Sequence, residues 1–325
     1  VYHIMIQNDI DKYRSFSFDN FPFFYQPFWL DIVSENNWKI NFIEEQNEIV
    51  AIMPIVQNKA KPNNLLMPIL TPFLGPYINP EFLKGKAASK NSKIHKLLNT
   101  LLETLPKFDY YEQRWHPSSN MWLPFYWNGF NQTTKYTYIL DIQDTDIVKS
   151  NLKSNIRTDI KKAQKILKIR KSNSPEDIIQ MMELTFKRQS IPFPYRKEVI
   201  KKLINSCCDR RNGAVYQAVD KIGNVHSATF IVWDKHKAYY LLSGSNPKYR
   251  NSGSMSFLLW NVILDLTGHV ESFDFEGSSI QKIEKFFRAF GGEPTPYFEI
   301  IKTQSKAMKA KSLTKKIIKT FSNDN

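Results

Sequence analysis

Arg250, Asn251, Ser252, Gly253 and Ser254 lie between an apolar run ending in Ser243 and Gly244 and a second apolar run, residues 255–266, of helical length. The first run reads as a largely buried strand entering a turn, the second as a helix with serine at its start. A strand passing through a glycine-containing loop into a helix start aims several unpaired N–H groups at one spot, with the positive end of the helix behind them. Arg250 adds a planar, permanently charged fork suited to phosphate. The expected ligand is an anion, with Ser243, Ser245, Arg250, Asn251, Gly253 and Ser254 as candidate contacts. An ordinary strand-loop-helix connection carrying a surface arginine is the competing reading.

Residues 271–276 alternate as a strand, which would place Asp274 and Glu276 on the face opposite Phe273 and Phe275. A carboxylate at a strand end can take a proton from an attacking amine, directly or through water. Alternatively, one carboxylate caps the following helix and the other holds Arg250 or a lysine. Tyr239, Tyr240, Ser243 and Ser245 frame the other side, and a neutral tyrosine such as Tyr240 can return a proton to a leaving group. The six histidines are scattered, with no HExxH or other ligand cluster and no nucleophile elbow. Neither a metal nor a covalent enzyme intermediate is expected.

The elements that must position these groups come in two similar series. NFIEEQNEIVAIMPIV and AVYQAVDKIGNVHSATFIVW both read strand-turn-strand, and each is followed by another sheet segment, a helix and a strand. Helices are expected over 23–33, 94–105, 176–187 and 197–208, and a final sheet segment near 297–301. Prolines and a glycine break residues 65–77, and prolines and aromatics crowd 115–130, as an acceptor-stacking loop or a lid over the core. The first half has no arginine-glycine loop at the matching place. The expected architecture is mixed α/β (α+β) in two related domains, residues 1–149 and 150–301, each a central sheet flanked by helices.

With 325 residues, 42% hydrophobic, the chain is long enough for two cores, and no stretch of 18 apolar residues suggests a membrane span. The charged start of the sequence argues against a secretory signal, and Cys207 and Cys208, adjacent and alone, fit a reducing cytoplasm. The net charge of +14 is uneven: residues 302–325 hold seven lysines against Asp324. Ala310, Leu313, Ile317, Ile318 and Phe321 form an apolar stripe there, expected to dock on the protein body, with peripheral contact to an anionic membrane as the alternative.

The series from Arg250 to Met255 resembles the acyl-CoA pyrophosphate loop of the Gcn5-related N-acetyltransferase (GNAT) superfamily: Gln or Arg, two residues, Gly, one residue, Gly or Ala. Met255 stands where the last small residue belongs. The wider context resembles the FemAB-like double-domain branch: a strand ending in SGS, the arginine loop, a Trp-containing helix, FDFEGS and a helix ending in FGG. KSNIRTDIKKA, residues 153–163, is similar to a basic helix near the start of that branch's second domain. In and just before it, Asn155, Asp159 and Lys162 share a charged face, while Leu152, Ile156, Ile160 and Ala163 make the buried stripe.

The resemblance implies an N-acyltransferase in which a degenerate first domain accompanies a second domain holding the donor. The donor would be acyl-CoA, acetyl-CoA included, with Tyr240 returning a proton to the leaving thiolate and Glu276 or Asp274 as base. The acceptor would be an amine on a small molecule or on a glycan or peptide precursor of the envelope or a polysaccharide. FemAB relatives also use aminoacyl-tRNA, which stays open here although the long helical hairpin of several such enzymes is missing. A noncatalytic anion or nucleic-acid-binding protein is the remaining alternative.

Overall fold

A computed structural model describes residues 5–277 and 280–305. The basic stripe expected over residues 306–321 lies outside the described residues. The described residues divide into two compact units, 5–135 with 297–305 and 136–277 with 280–296.

In chain order the first unit begins with β1 (Met5–Gln7), α1 (Ile10–Arg14), α2 (Pro27–Ser34), β2 (Trp38–Glu45) and β3 (Glu48–Val56). After β4 (Asn64–Leu65) and β5 (Tyr77–Ile78) come α3 (Ala87–Glu103), β6 (Tyr110–Arg114), α4 (Leu123–Trp127) and β7 (Asn131–Asp141), whose later residues enter the second unit. Strands β1-β2-β3-β5 form an antiparallel sheet. It is covered on both faces, which is why β3 reads as an unbroken apolar run. One face packs Ile40, Phe42 and Ile52 with Tyr13, Tyr25 and Leu30. The other packs Ile43, Val50, Met53 and Ile55 with Leu97, Leu98 and Leu101 of α3. Trp115, Phe125 and Phe130 join this second core, so the aromatic segment 115–130 is mainly core, with Tyr126 and Trp127 left exposed.

The second unit continues with α5 (Thr145–Asn151), α6 (Ser154–Ala163), β8 (Leu167–Ser172), α7 (Pro175–Arg188), α8 (Lys197–Asp209), β9 (Gly213–Asp220) and β10 (Val225–Trp233). Then follow β11 (Lys237–Ser245), α9 (Ser254–Leu266), β12 (Ser272–Asp274), α10 (Gln281–Ala289) and β13 (Glu293–Thr303), which ends in the first unit and pairs there with β6. The sheet order in this unit is β7-β12-β11-β10-β9-β8. Every pair is antiparallel except β11 with β12, so the sheet is mixed, as expected for this fold class. Ile156, Ile160 and Ala163 of α6 and Leu258, Leu259, Val262 and Ile263 of α9 share its core with Phe273, Phe275 and Phe287. No helix among the described residues is long and apolar enough to cross a membrane.

Candidate active site

The site grows from the far end of β11. Its antiparallel register with β10 slips between Phe230 and Ile231, which face Leu242 and Tyr240 and leave Leu241 as an extra residue. Such a bulge bends a strand and locally disrupts its ladder. On the other side, parallel pairing with β12 covers only Lys237–Tyr239 against Ser272–Asp274. Beyond Tyr239, β11 runs on to Ser245 after β12 has ended, so this length of strand edge has no sheet neighbour on that side among the described residues. Backbone groups on such an edge are open to a ligand.

Helix α7 crosses the end of β11 closely enough to require glycine. A Cβ on Gly244 would stand 2.3 Å from the Met181 carbonyl carbon. Thr185 Oγ1 accepts the Ser245 N–H at 2.9 Å and lies 3.0 Å from the Met181 oxygen and 3.3 Å from the Ser245 oxygen. Ser245 is thus gripped through its backbone by α7, while Ser243, beside the Tyr240 hydroxyl, stays partly exposed.

The loop after β11 is built turn by turn. Asn246 Oδ1 accepts the Lys248 N–H, starting a tight turn over Pro247–Tyr249, and the Tyr249 ring stacks 3.9 Å from that of His226. Gly253 has φ +74°, and α9 starts at Ser254 with no side chain capping its first turn. The first N–H groups of a helix then remain available to an anion. Arg250 is exposed and has no ion pair among the described residues, so neither candidate carboxylate holds it. The Ser252 hydroxyl is buried and unpartnered among them, and Ser254 is buried at the helix start.

Helix α6 supports this loop from behind. Lys162 Nζ donates to the Asn251 carbonyl at 2.5 Å, and Ser256 Oγ donates to Asp159 Oδ2 at 3.1 Å. Met255, the departure from the small-residue pattern, turns its side chain into the core, where the Tyr240 hydroxyl meets its sulfur at 3.5 Å. The methionine therefore leaves the loop's outer surface.

Of the two candidate carboxylates, Asp274 is fully buried. Its Oδ1 accepts from the Thr137 hydroxyl and, at 2.8 Å, from the Glu276 N–H. Burial raises its pKa, against the opposing effects of Lys237, Thr137 and the Glu276 N–H. The strand alternation expected through Glu276 stops at Asp274, and Glu276 adopts φ +59° and is partly exposed. Burial also pushes up the Tyr240 pKa; the Ser243 hydroxyl opposes this and the negative Glu276 adds to it. Tyr240 is therefore held in its protonated form, with Glu276 within electrostatic reach.

Tyr195 was not foreseen. It lies in the 189–196 loop between α7 and α8, packed in a trio with Phe186 and Phe193, and its pKa is raised by burial and then by Glu276. The aromatic and proline content of IPFPY was the available signal. Among the described residues, no cluster of His, Cys, Asp or Glu could hold a metal.

Residues 150–281 match the acetyltransferase (GNAT) domain family. The structure of FemX is similar with TM-score 0.63 at 12% identity, covering 89% of this chain and 94% of that one. The chain thus contains a GNAT-domain segment over residues 150–281 and shares its fold with FemX. Also similar are the C-terminal domain of a putative lysylphosphatidylglycerol synthetase from Agrobacterium fabrum (TM-score 0.54, 12% identity, 87% and 89% coverage) and a tandem GNAT protein from the clavulanic acid biosynthesis pathway (0.50, 10%, 93% and 99%). At these identities the likeness is one of fold. No curated protein matches the chain. The domain match and the shared fold support an acyltransferase, and acyl-CoA is the donor general to the GNAT fold.

Proposed function

We propose that this GNAT-fold protein moves an acyl group from acyl-CoA to an amine, with the donor bound in the second domain and the first domain a degenerate relative. The observation that carries this is the uncapped start of α9 behind an exposed Arg250, directly after the open edge of β11. Arg250, Asn251, Gly253 and Ser254 would hold the donor's phosphates. Backbone groups near Ser243 would line its thioester arm and polarise the carbonyl. Glu276 would take a proton from the acceptor ammonium. The amine nitrogen then bonds to the thioester carbon and releases its second proton to solvent, the C–S bond breaks, and Tyr240 gives its proton to the leaving thiolate. Tyr240 recovers a proton, and Glu276 loses one, through solvent.

The proposed acceptor class is an amine on a glycan or peptide precursor of the envelope or a polysaccharide, as the FemAB-like resemblance implies. Calorimetry with acetyl-CoA and longer acyl-CoAs tests the donor. Arg250→Ala should weaken binding about tenfold or more, as expected for losing a charged hydrogen bond, without moving the melting temperature. Unchanged affinity would remove Arg250 from the site. Glu276→Gln should preserve donor binding and lower turnover at saturating acceptor; equal turnover across pH would remove Glu276 as base.

A second reading, aminoacyl-tRNA as donor, is favoured by one feature. Lys153 at the N-cap of α6 and Arg157 and Lys161 along it recur every four residues, with Lys165 just past its end, all exposed and without ion pairs among the described residues. Such a row suits a phosphate backbone. Salt-sensitive binding of charged tRNA, with no binding of any acyl-CoA, would make this the better account.

A further inference from the structure

We propose that Asp274 is a positioning residue: together with Thr137 it fixes the left-handed backbone turn that carries Glu276, and so sets where that carboxylate stands beside the open edge of β11. The inference rests on the reading of Glu276 as the acceptor's base and names what holds that base in place.

Asp274 is the last residue of β12, flanked in register by Tyr239 of β11 and Ile139 of β7. It has no exposed surface, so it cannot meet an acceptor itself. Its Oδ1 gathers the Thr137 hydroxyl from the neighbouring strand and the Glu276 N–H from two residues on. A side chain that accepts an N–H two residues later closes a local turn. The turn here is one a glutamate does not choose unaided, since φ +59° brings its Cβ toward the following carbonyl. The residue between is fixed as well: the Phe275 N–H donates to the Tyr138 oxygen at 2.9 Å, and its ring packs on Phe287 and Phe290. With both preceding residues anchored, the Glu276 backbone has little freedom left. Residues in rare conformations persist only where their surroundings over-determine them, and they cluster at active sites.

The second carboxyl oxygen, Asp274 Oδ2, is buried with no hydrogen-bond partner among the described residues. A carboxyl with one oxygen doubly engaged and the other in dry surroundings is better accommodated neutral than charged. That distinguishes positioning from catalysis by Asp274. A positioning residue needs only the Oδ1 acceptor, which asparagine reproduces; a base or a fixed negative charge needs the carboxylate.

The test uses full-length protein with Asp274→Asn, Asp274→Ala, Thr137→Val and Glu276→Gln. Amide exchange at Glu276 and the titration of its carboxyl are followed by NMR, beside acetyl-CoA affinity. Asp274→Asn should match the parent in exchange and titration midpoint. Asp274→Ala should speed Glu276 exchange about tenfold or more and move the midpoint, with Thr137→Val intermediate if Asp274→Ala does not fold. Acetyl-CoA affinity should hold throughout. Parent-like exchange in both Asp274→Ala and Thr137→Val, or an asparagine variant as impaired as the alanine one, would overturn the proposal. With an amine that turns over, Asp274→Ala should lower kcat without changing the donor KM, and Asp274→Asn should not. Full turnover by Glu276→Gln would instead remove the base, while the exchange result would still stand.

Discussion

The Cα of Gly253 lies against the backbone of Asp159: a Cβ added there would stand 2.6 Å from the Asp159 carbonyl oxygen. Helix α6 and the start of α9 meet at a point with no room for a side chain, and φ +74° at Gly253 disfavours one independently. Gly253→Ala should therefore destabilise the protein by roughly 2 kcal/mol or more and weaken donor binding. Gly223→Ala is the control. Gly223 has φ +90° but nothing within 4 Å of an added Cβ, so that variant bears conformational strain alone. Denaturant unfolding of the two variants separates the clash from the strain, and equal losses would show that α6 gives way.

Lys162 reaches the Asn251 carbonyl from an exposed position on α6. An exposed contact of this kind adds little to stability, about 1 kcal/mol or less. Its larger effect should be on the shape and charge of the loop that Asn251 belongs to. Lys162→Met is expected to lower acetyl-CoA affinity several-fold while leaving thermal unfolding nearly in place. A variant that loses stability and keeps affinity would make the contact merely structural.

The grip of α7 on β11 can be tested at two strengths. Thr185→Val keeps the shape and removes the hydroxyl that receives the Ser245 N–H, which should cost about 1–3 kcal/mol for the group left unsatisfied. Gly244→Ala drives a methyl into the backbone of Met181 and Met182 and should prevent normal packing of α7 on the strand. Circular dichroism and unfolding curves check both. A Gly244→Ala protein of parent stability would mean that the helix can slide.

What the sequence carried best were features set by local chemistry. The strand-turn-strand segments, the apolar helix after Gly253 and the buried stripe of Leu152, Ile156, Ile160 and Ala163 follow from periodicity. Features decided by distant partners were less legible. Strand β8, Leu167–Ser172, is not among the expected elements: its mostly exposed basic residues carry no clear apolar alternation, and its pairing with β9 decides it. Helix α3 begins at Ala87, ahead of the helix expected over 94–105, since its first turns are exposed and need no apolar face. Residues 23–33 divide into a short turn and α2 at extended Gln26, just before Pro27. At the site, the arginine loop is visible as a motif. The separation of Asp274 from Glu276 is not, because alternation predicts a shared face only while a strand continues.

The pH dependence of stability isolates Asp274. Its folded-state pKa is raised, chiefly by burial, so the folded protein keeps this proton where the unfolded chain has released it. A raised group contributes stability that is fully present below the unfolded value, about 3.9 for aspartate, and is lost as pH climbs through the folded value. Asp274→Asn cannot release that proton in either state. The stability of the asparagine variant relative to the parent should therefore rise with pH from about 4 upward. Glu284 works in the opposite sense: the Tyr138 hydroxyl and then Arg288 lower its pKa, so its contribution is lost as pH falls. Both proteins share Glu284, and its effect cancels in the difference. Urea unfolding of parent and variant at a series of pH values gives that difference directly. A flat difference would mean that Asp274 ionises in the folded protein as readily as in the unfolded chain, and a falling one that it is held as a stabilised carboxylate.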